Sequence, residues 1–294
     1  MYSTVTYVGR FFSSRRKMPQ GIKKLMLASI VLSQFLLPDF SYAAGRVFLD
    51  DFESGTTNAW GRGGPAEKCP AVTSAEDGGS PHQGRYMAKC NWAKDSRGWS
   101  YFNALYLASW PYSKEFLLRF WFRADQDLDH YFGPKLLRLK FGDPNDQSIW
   151  GILADHGDQA ELTAGWTIGG NSYQFWGSPA AIIGDHKWHQ LALYTKDSTG
   201  NDGILRVWVD GNKVWEQVNI QTNSNGRPWY PLHLPSNWDN APIDNNNHIY
   251  IDEVEIYSDQ GTGASGSLAD GTIDTSGGGN RKLAAPKNLH VVMP

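Results

Sequence analysis

Three short runs of the chain set cations and tryptophans at alternate positions, the spacing that lines up one face of a β-strand. In "FLLRFWFRA", Arg119, Trp121 and Arg123 alternate with Leu118, Phe120 and Phe122. In "KLLRLKF", Arg138 and Lys140 alternate with Leu137, Leu139 and Phe141, and in "GILRVWVDG", Arg206 and Trp208 alternate with Leu205, Val207 and Val209. A tryptophan offers a flat apolar plate to the C–H face of a sugar ring. An arginine offers a planar fork that fits a carboxylate, a sulfate or a pair of hydroxyls. On one shared face these seven residues would bind a polysaccharide, an acidic one by preference. On separate outer faces they are long side chains laid over apolar neighbours. Alternation alone does not say which sheet each strand joins.

A second chemistry would add proton transfer. β-Elimination of a uronate needs a group to neutralise its carboxylate, a base for the ring proton and an acid for the leaving oxygen. Arg119, Arg138 and Lys140 could neutralise. His130 and Tyr131, in "DLDHYFGPK", could move protons, although loops gather such residues for solubility as well. His189, in "WHQLALY", shares the side of Leu191 and Leu193 and reads as a hydrogen-bonded core histidine. There is no GxSxG motif, Ser/His/Asp order or phosphate-cradling glycine loop. Asp50, Asp51 and Glu53 could approach Asp252 if the first and last strands lie side by side, and their oxygens could then hold a structural calcium ion. Acids at strand ends are the more ordinary reading, so no metal or other cofactor is assigned.

The elements that must position these residues are strands. Runs such as "RVFLDDF", "RYMAKCNW", "SIWGILAD", "ELTAGWTIG" and "HIYIDEVEIYS" are separated by clusters such as "GDPNDQ" and "DSTGNDG". No segment sustains a helical period, which predicts an all-β fold, a two-sheet antiparallel jelly-roll sandwich over residues 44–257. "DGN" at 210–212 predicts a tight hairpin turn. Of the 13 tryptophans most are expected in the core, with Trp60, Trp92, Trp188 and Trp215 as candidates. Residues 258–282 are rich in Gly, Ser and Asp and read as a flexible linker, and 283–294 as a tail.

The first 43 residues run from basic "RRKMPQGIKK" through apolar "LMLASIVLSQFLL" to small residues ending at Ala43, the layout of a secretory signal. Removing them takes six of the 27 Lys+Arg and one of the 30 Asp+Glu, leaving a net charge of −8. An acidic, secreted or periplasmic protein with no membrane span after cleavage is a poor partner for nucleic acid. Cys69 and Cys90, in one loop-rich stretch, are expected to form a disulfide in an oxidising compartment, and no CxxC or Cys/His cluster suggests a metal site.

"FLDDFESGTTNAW", "HKWHQLALYTKDSTGNDGILRVWVDGNKVW" and "IYIDEVEIYS" together resemble the concanavalin A-like lectin/glucanase superfamily, most nearly its bacterial jelly-roll polysaccharide lyases and LamG-like domains. The resemblance covers residues 46–257. It implies the sandwich fold, but that scaffold carries lectins, hydrolases, lyases and adhesion modules alike. The superfamily's glucanases share a Glu-x-Asp-x-Glu strand; here "IDEVEIY" puts Ile251 at the first place, with Glu253 and Glu255 following on one face and Asp252 on the other. A retaining glucanase is therefore rejected. The "Q-x-H" and "Y-x-K-x-G-x-Y" motifs of alginate lyases are absent as such. The reading at this point is a carbohydrate-binding, lectin-like sandwich, with a uronate-cleaving lyase and a non-catalytic adhesion module as alternatives.

Overall fold

The computed structural model describes residues 45–62, 69–77, 79–94, 100–102, 105–111, 114–124, 135–140, 148–156, 159–168, 171–175, 185–224, 226, 231–236, 248–263 and 265–274. The strands in the first half are β1 (Gly45–Asp50), β2 (Gly61–Arg62), β3 (Ala71–Thr73), β4 (Tyr86–Lys94), β5 (Ser100–Phe102), β6 (Leu105–Leu107), β7 (Glu115–Ala124), β8 (Lys135–Lys140) and β9 (Ser148–His156). Those that follow are β10 (Gln159–Ile168), β11 (Asn171–Phe175), β12 (His189–Lys196), β13 (Gly203–Val209), β14 (Asn212–Ile220), β15 (Leu232–Leu234), β16 (His248–Ser258), β17 (Thr262–Gly263), β18 (Ser265–Ser267) and β19 (Thr272–Asp274). A single helical turn, Ser74–Asp77, is the one helix among the described residues.

The strands form two large antiparallel sheets and one separate two-stranded hairpin, β18–β19, so the expected sandwich is the observed one. The first sheet runs β14-β13-β12-β7-β16-β1-β17, with β4 pairing the leading half of β16 and carrying β3 and β5. The second runs β11-β10-β9-β8-β15-β6-β2. Alternation supplies the core between them. Leu118, Phe120 and Phe122 of β7, Leu191 and Leu193 of β12, and Ile249 and Ile251 of β16 meet Leu137 and Leu139 of β8, Leu162 of β10, and Leu232 and Leu234 of β15. Trp60 and Trp215 belong to this core at 1% and 5% exposure.

Local signals act where they were expected. Asp210 (φ 50°) and Gly211 (φ 76°) close the β13–β14 hairpin between paired Val209 and Asn212, a two-residue turn that needs positive φ at both positions. β1 and β16 are neighbours, with Asp50 opposite Val254. Cys69 and Cys90 are bridged and fully buried, beside the β3–β4 pair.

One segment differs from its reading as a linker. Residues 262–274 contain β17, which pairs β1, and the β18–β19 hairpin. Leu268 in that hairpin packs on the outer face of the first sheet with Leu117, Ala192, Tyr194, Trp208 and Tyr257, a second small core outside the sandwich. Gly271, at φ 67°, supplies the turn geometry while Leu268 supplies the anchor. Residues 1–43, read as a secretory signal, residues 283–294, read as a tail, and His130 and Tyr131 lie outside the described residues.

Candidate active site

Three strands of the second sheet carry the same triplet: Leu105-Tyr106-Leu107 in β6, Leu137-Arg138-Leu139 in β8 and Leu232-His233-Leu234 in β15. All six leucines lie in the core, so Tyr106, Arg138 and His233 stand on the outer face. β15 runs between the other two strands, and its register sets His233 opposite Tyr106 on one side and opposite Arg138 on the other. The same row continues across the sheet at the register positions Gly61 in β2, Trp150 in β9, Gly165 in β10 and Gln174 in β11. Neighbouring strands lie about 4.8 Å apart, so the row crosses the sheet roughly at right angles to the strands.

The Tyr106 and His233 rings meet edge to face, with centroids 5.1 Å apart and planes at 79°. Gly61 leaves room for this: a Cβ there would stand 3.0 Å from Tyr106 Cδ1. Lys140 follows Arg138 by two residues on the same face. Burial, then the charges of Lys140 and Arg138, push His233 down to about 4. It is therefore a neutral imidazole at ordinary pH, beside two cations and a phenol. Such a group can accept a proton, the cations can hold an anion, and the phenol can donate.

The seven residues, for which alternation left a shared face and separate outer faces open, are divided between the two outer faces. Arg138 and Lys140 are on the second sheet, whereas Arg119, Trp121, Arg123, Arg206 and Trp208 are on the first. Strand alternation fixes the side of a strand but not the sheet, and β8 joins the other one. On the first sheet the side chains have protein partners. Arg119 donates to Glu255 (Nε–Oε2 2.8 Å) and to the Tyr257 hydroxyl (3.2 Å). Arg206 is paired with Glu216 and donates to the Ala269 carbonyl of the C-terminal hairpin. Trp208 is only 7% exposed, and a Cβ on Gly271 would sit 3.1 Å from its ring. It is covered by the hairpin and is not a solvent-facing plate.

Trp121 and Arg123 belong to a cluster at the far end of β7. His82 stacks on Trp121 at 3.7 Å, covering that ring, and its Nδ1 meets Glu253 Oε2 at 2.5 Å. The Arg123 guanidinium lies 5.3 Å from the Trp188 ring and 4.4 Å from that of Tyr250. Trp188 is partly exposed at this cluster, held by a hydrogen bond from Nε1 to the Ser80 carbonyl (2.9 Å), and is not in the main core. His189 bridges two acids, through Nδ1 to Asp210 (2.7 Å) and Nε2 to Asp185 (2.8 Å).

The carboxylates weighed for calcium bind protein donors. Asp50 accepts from the Phe52 amide (2.9 Å) and Trp60 Nε1 (2.7 Å). Glu53 accepts from the Arg85 and Tyr86 amides. Asp252 is fully buried and accepts from the amides of His82, Gln83 and Glu253. Burial nonetheless pushes Asp252 up to about 7, with Glu253 adding to the rise against those three donors. Among the described residues no group of three His, Cys, Asp or Glu is placed to hold a metal ion.

The parity read for "IDEVEIY" is also corrected. Asp252 pairs with Trp121 and Glu255 with Arg119, so β16 carries one extra residue there, and Glu253 adopts φ 48°. This bulge moves Glu255 to the outer side with Asp252 and Tyr257, while Val254 returns to the core. Glu255 there binds Arg46, Arg119 and Tyr257 and is a structural carboxylate.

Sequence reasoning passed over Tyr106 and His233, because each lies in a strand of three residues, too short for a periodicity to register. The repeated Leu-x-Leu triplet, with a polar side chain at its centre, is the signal that marks them.

No protein-family model and no curated protein matches this chain. Solved structures do. The endo-β-1,4-glucuronan lyase from the fungus Trichoderma reesei is 14% identical, with a TM-score of 0.57 over 74% of this chain and 100% of that one. The alginate lyase vAL-1 from Chlorella virus is 13% identical, with a TM-score of 0.49 over 72% and 98%. The binding domain of botulinum neurotoxin serotype D is 12% identical, with a TM-score of 0.40 over 69% and 44%. The chain has the jelly-roll sandwich fold that the glucuronan lyase also has.

Proposed function

We propose that this protein is an exported polysaccharide lyase that cleaves a uronate-containing glycan by β-elimination on the outer face of the second sheet. The observation that carries this reading is His233, neutral, between Arg138 and Tyr106 on adjoining strands. Arg138 and Lys140 hold the uronate carboxylate and so acidify the ring proton beside it. His233 takes that proton, the bond to the leaving oxygen breaks, and Tyr106 gives the oxygen its proton. The product carries a carbon–carbon double bond conjugated to the carboxylate. A lectin could use the same cations; the paired base and acid favour the lyase. The buried disulfide suits an exported protein, in keeping with the signal-like residues 1–43.

Glucuronan, the polymer named for the structural neighbour, is the first substrate to test, followed by other polyuronates. The expected result is a steady rise in near-ultraviolet absorbance, reduced roughly 10²–10⁴-fold in His233→Ala. Binding without any rise would make the protein a lectin. Failure to bind any member of a polyuronate panel would leave the adhesion module.

A further inference from the structure

Alternation along β8 is broken by a doublet of leucines. Counting back from Lys140 and Arg138, position 136 should face outward and position 135 inward. Leu136 is instead fully buried in the core beside Leu137. The pairing with β9 gives the reason: Lys135 is opposite Ile152 and Leu137 opposite Gly151, so two steps on β8 match one on β9. Leu136 is the extra residue of a β-bulge, which lets two consecutive side chains enter the core and reverses the parity before it. Lys135 is thereby turned to the outer face, where it is partly exposed, and its carbonyl is fixed by the Ser236 amide at 2.8 Å.

We infer that Lys135 is a third cation of the candidate active site and a determinant of substrate choice. The inference rests on the lyase or lectin use of this face and deepens it. With the bulge, Lys135, Arg138 and Lys140 form one line along β8, with neighbours about 7 Å apart. One carboxylate at the reacting sugar needs one cation, or a pair. Three in a line suit a polymer with carboxylates on successive sugars and leave unused charge when uronates alternate with neutral sugars. Arg138 is where this line meets the Tyr106–His233 row, so it serves the reacting sugar while Lys135 and Lys140 serve its neighbours. Residues 44–294 carry a net charge of −8, and against that background three cations in a line also steer a polyanion to this face.

The test compares the parent, Lys135→Ala and Lys135→Arg on glucuronan and on a polymer in which uronates alternate with neutral sugars. Lys135→Ala should raise KM on glucuronan about tenfold, the loss of one charge-assisted contact, and leave kcat within about twofold. It should flatten the dependence of KM on salt and have little effect on the alternating polymer. Lys135→Arg should restore the parent KM, and melting temperatures should agree across the three proteins. A KM within twofold of the parent in Lys135→Ala, or equal losses on both polymers, overturns the role of Lys135 and leaves the lyase intact. If the parent binds glucuronan without cleaving it, the same comparison of Kd decides the role of Lys135 by itself. If the parent binds neither polymer, both readings fall.

Discussion

At the residue scale, His233 combines two opposing demands. A base must be unprotonated to act, yet strong enough to take a carbon-bound proton. Burial together with Lys140 and Arg138 meets the first demand by holding His233 at about 4, against an ordinary value of 6.5. In the proposed lyase, a substrate carboxylate between the cations would meet the second. It would offset their charge, so the imidazole would become more basic with substrate bound. The pH dependence follows with its sign. Because the depressed value belongs to the free enzyme, kcat/KM should stay level as pH falls from 7 to about 5 and decline only as His233 protonates near 4. The acid limb of kcat, which reports the complex, should lie at higher pH than that of kcat/KM. Initial rates of double-bond formation from pH 3.5 to 8 measure both; a kcat/KM limb near 6.5 would mean that neither burial nor the cations hold His233 down.

At the element scale, the β18–β19 hairpin changes what the first sheet's outer face is for. Leu268 packs there against Trp208, Tyr194, Leu117 and Tyr257, and Arg206 bonds the Ala269 carbonyl. Trp208 is thus a buried packing residue of a second core. Trp208→Ala should destabilise the fold by about 3–5 kcal/mol, the usual cost of deleting a buried large aromatic. Below its lowered melting temperature the variant should bind glycan like the parent, because the candidate active site is on the other sheet. Thermal melts and binding measured together decide the point. Unchanged melting with weakened binding would return Trp208 to the role of a sugar plate.

At the scale of the whole molecule, the cations of β8 stand on one outer face, and the β3–β4 region is tied by a bridge. The Cys69–Cys90 disulfide closes a loop with a sequence separation of 21 residues, and both cysteines are fully buried. Closing a loop of that size should stabilise the fold by on the order of 3 kcal/mol, mainly by restricting the unfolded chain. Denaturant unfolding of the oxidised protein and of a Cys69→Ala/Cys90→Ala variant measures it. Thiol titration of the denatured, unreduced protein should find no free thiol, and two would overturn the bridge. Among the described residues no helix is long and apolar enough to cross a membrane.

The amino-acid sequence by itself determined the fold class, the disulfide pair and the side of the strand on which Arg119, Arg123, Arg138, Lys140 and Arg206 stand. These are local properties: a period of two over six or more residues, a two-residue Asp-Gly turn, and two cysteines in an oxidising context. Partnership between strands is not local, and the tertiary structure alone decided it. "FLLRFWFRA" and "KLLRLKF" have the same alternation, but hydrogen bonding to β12 and β16 places one in the first sheet, and hydrogen bonding to β9 and β15 places the other in the second. The bulges at Leu136 and near Glu253 shift parity by one residue each, a change visible only against a paired strand. Tyr106 and His233 stand 127 positions apart in the chain and meet because β15 returns between β6 and β8. A strand of three residues carries too little pattern to announce itself; its register with two neighbours is what makes its central residue a candidate base.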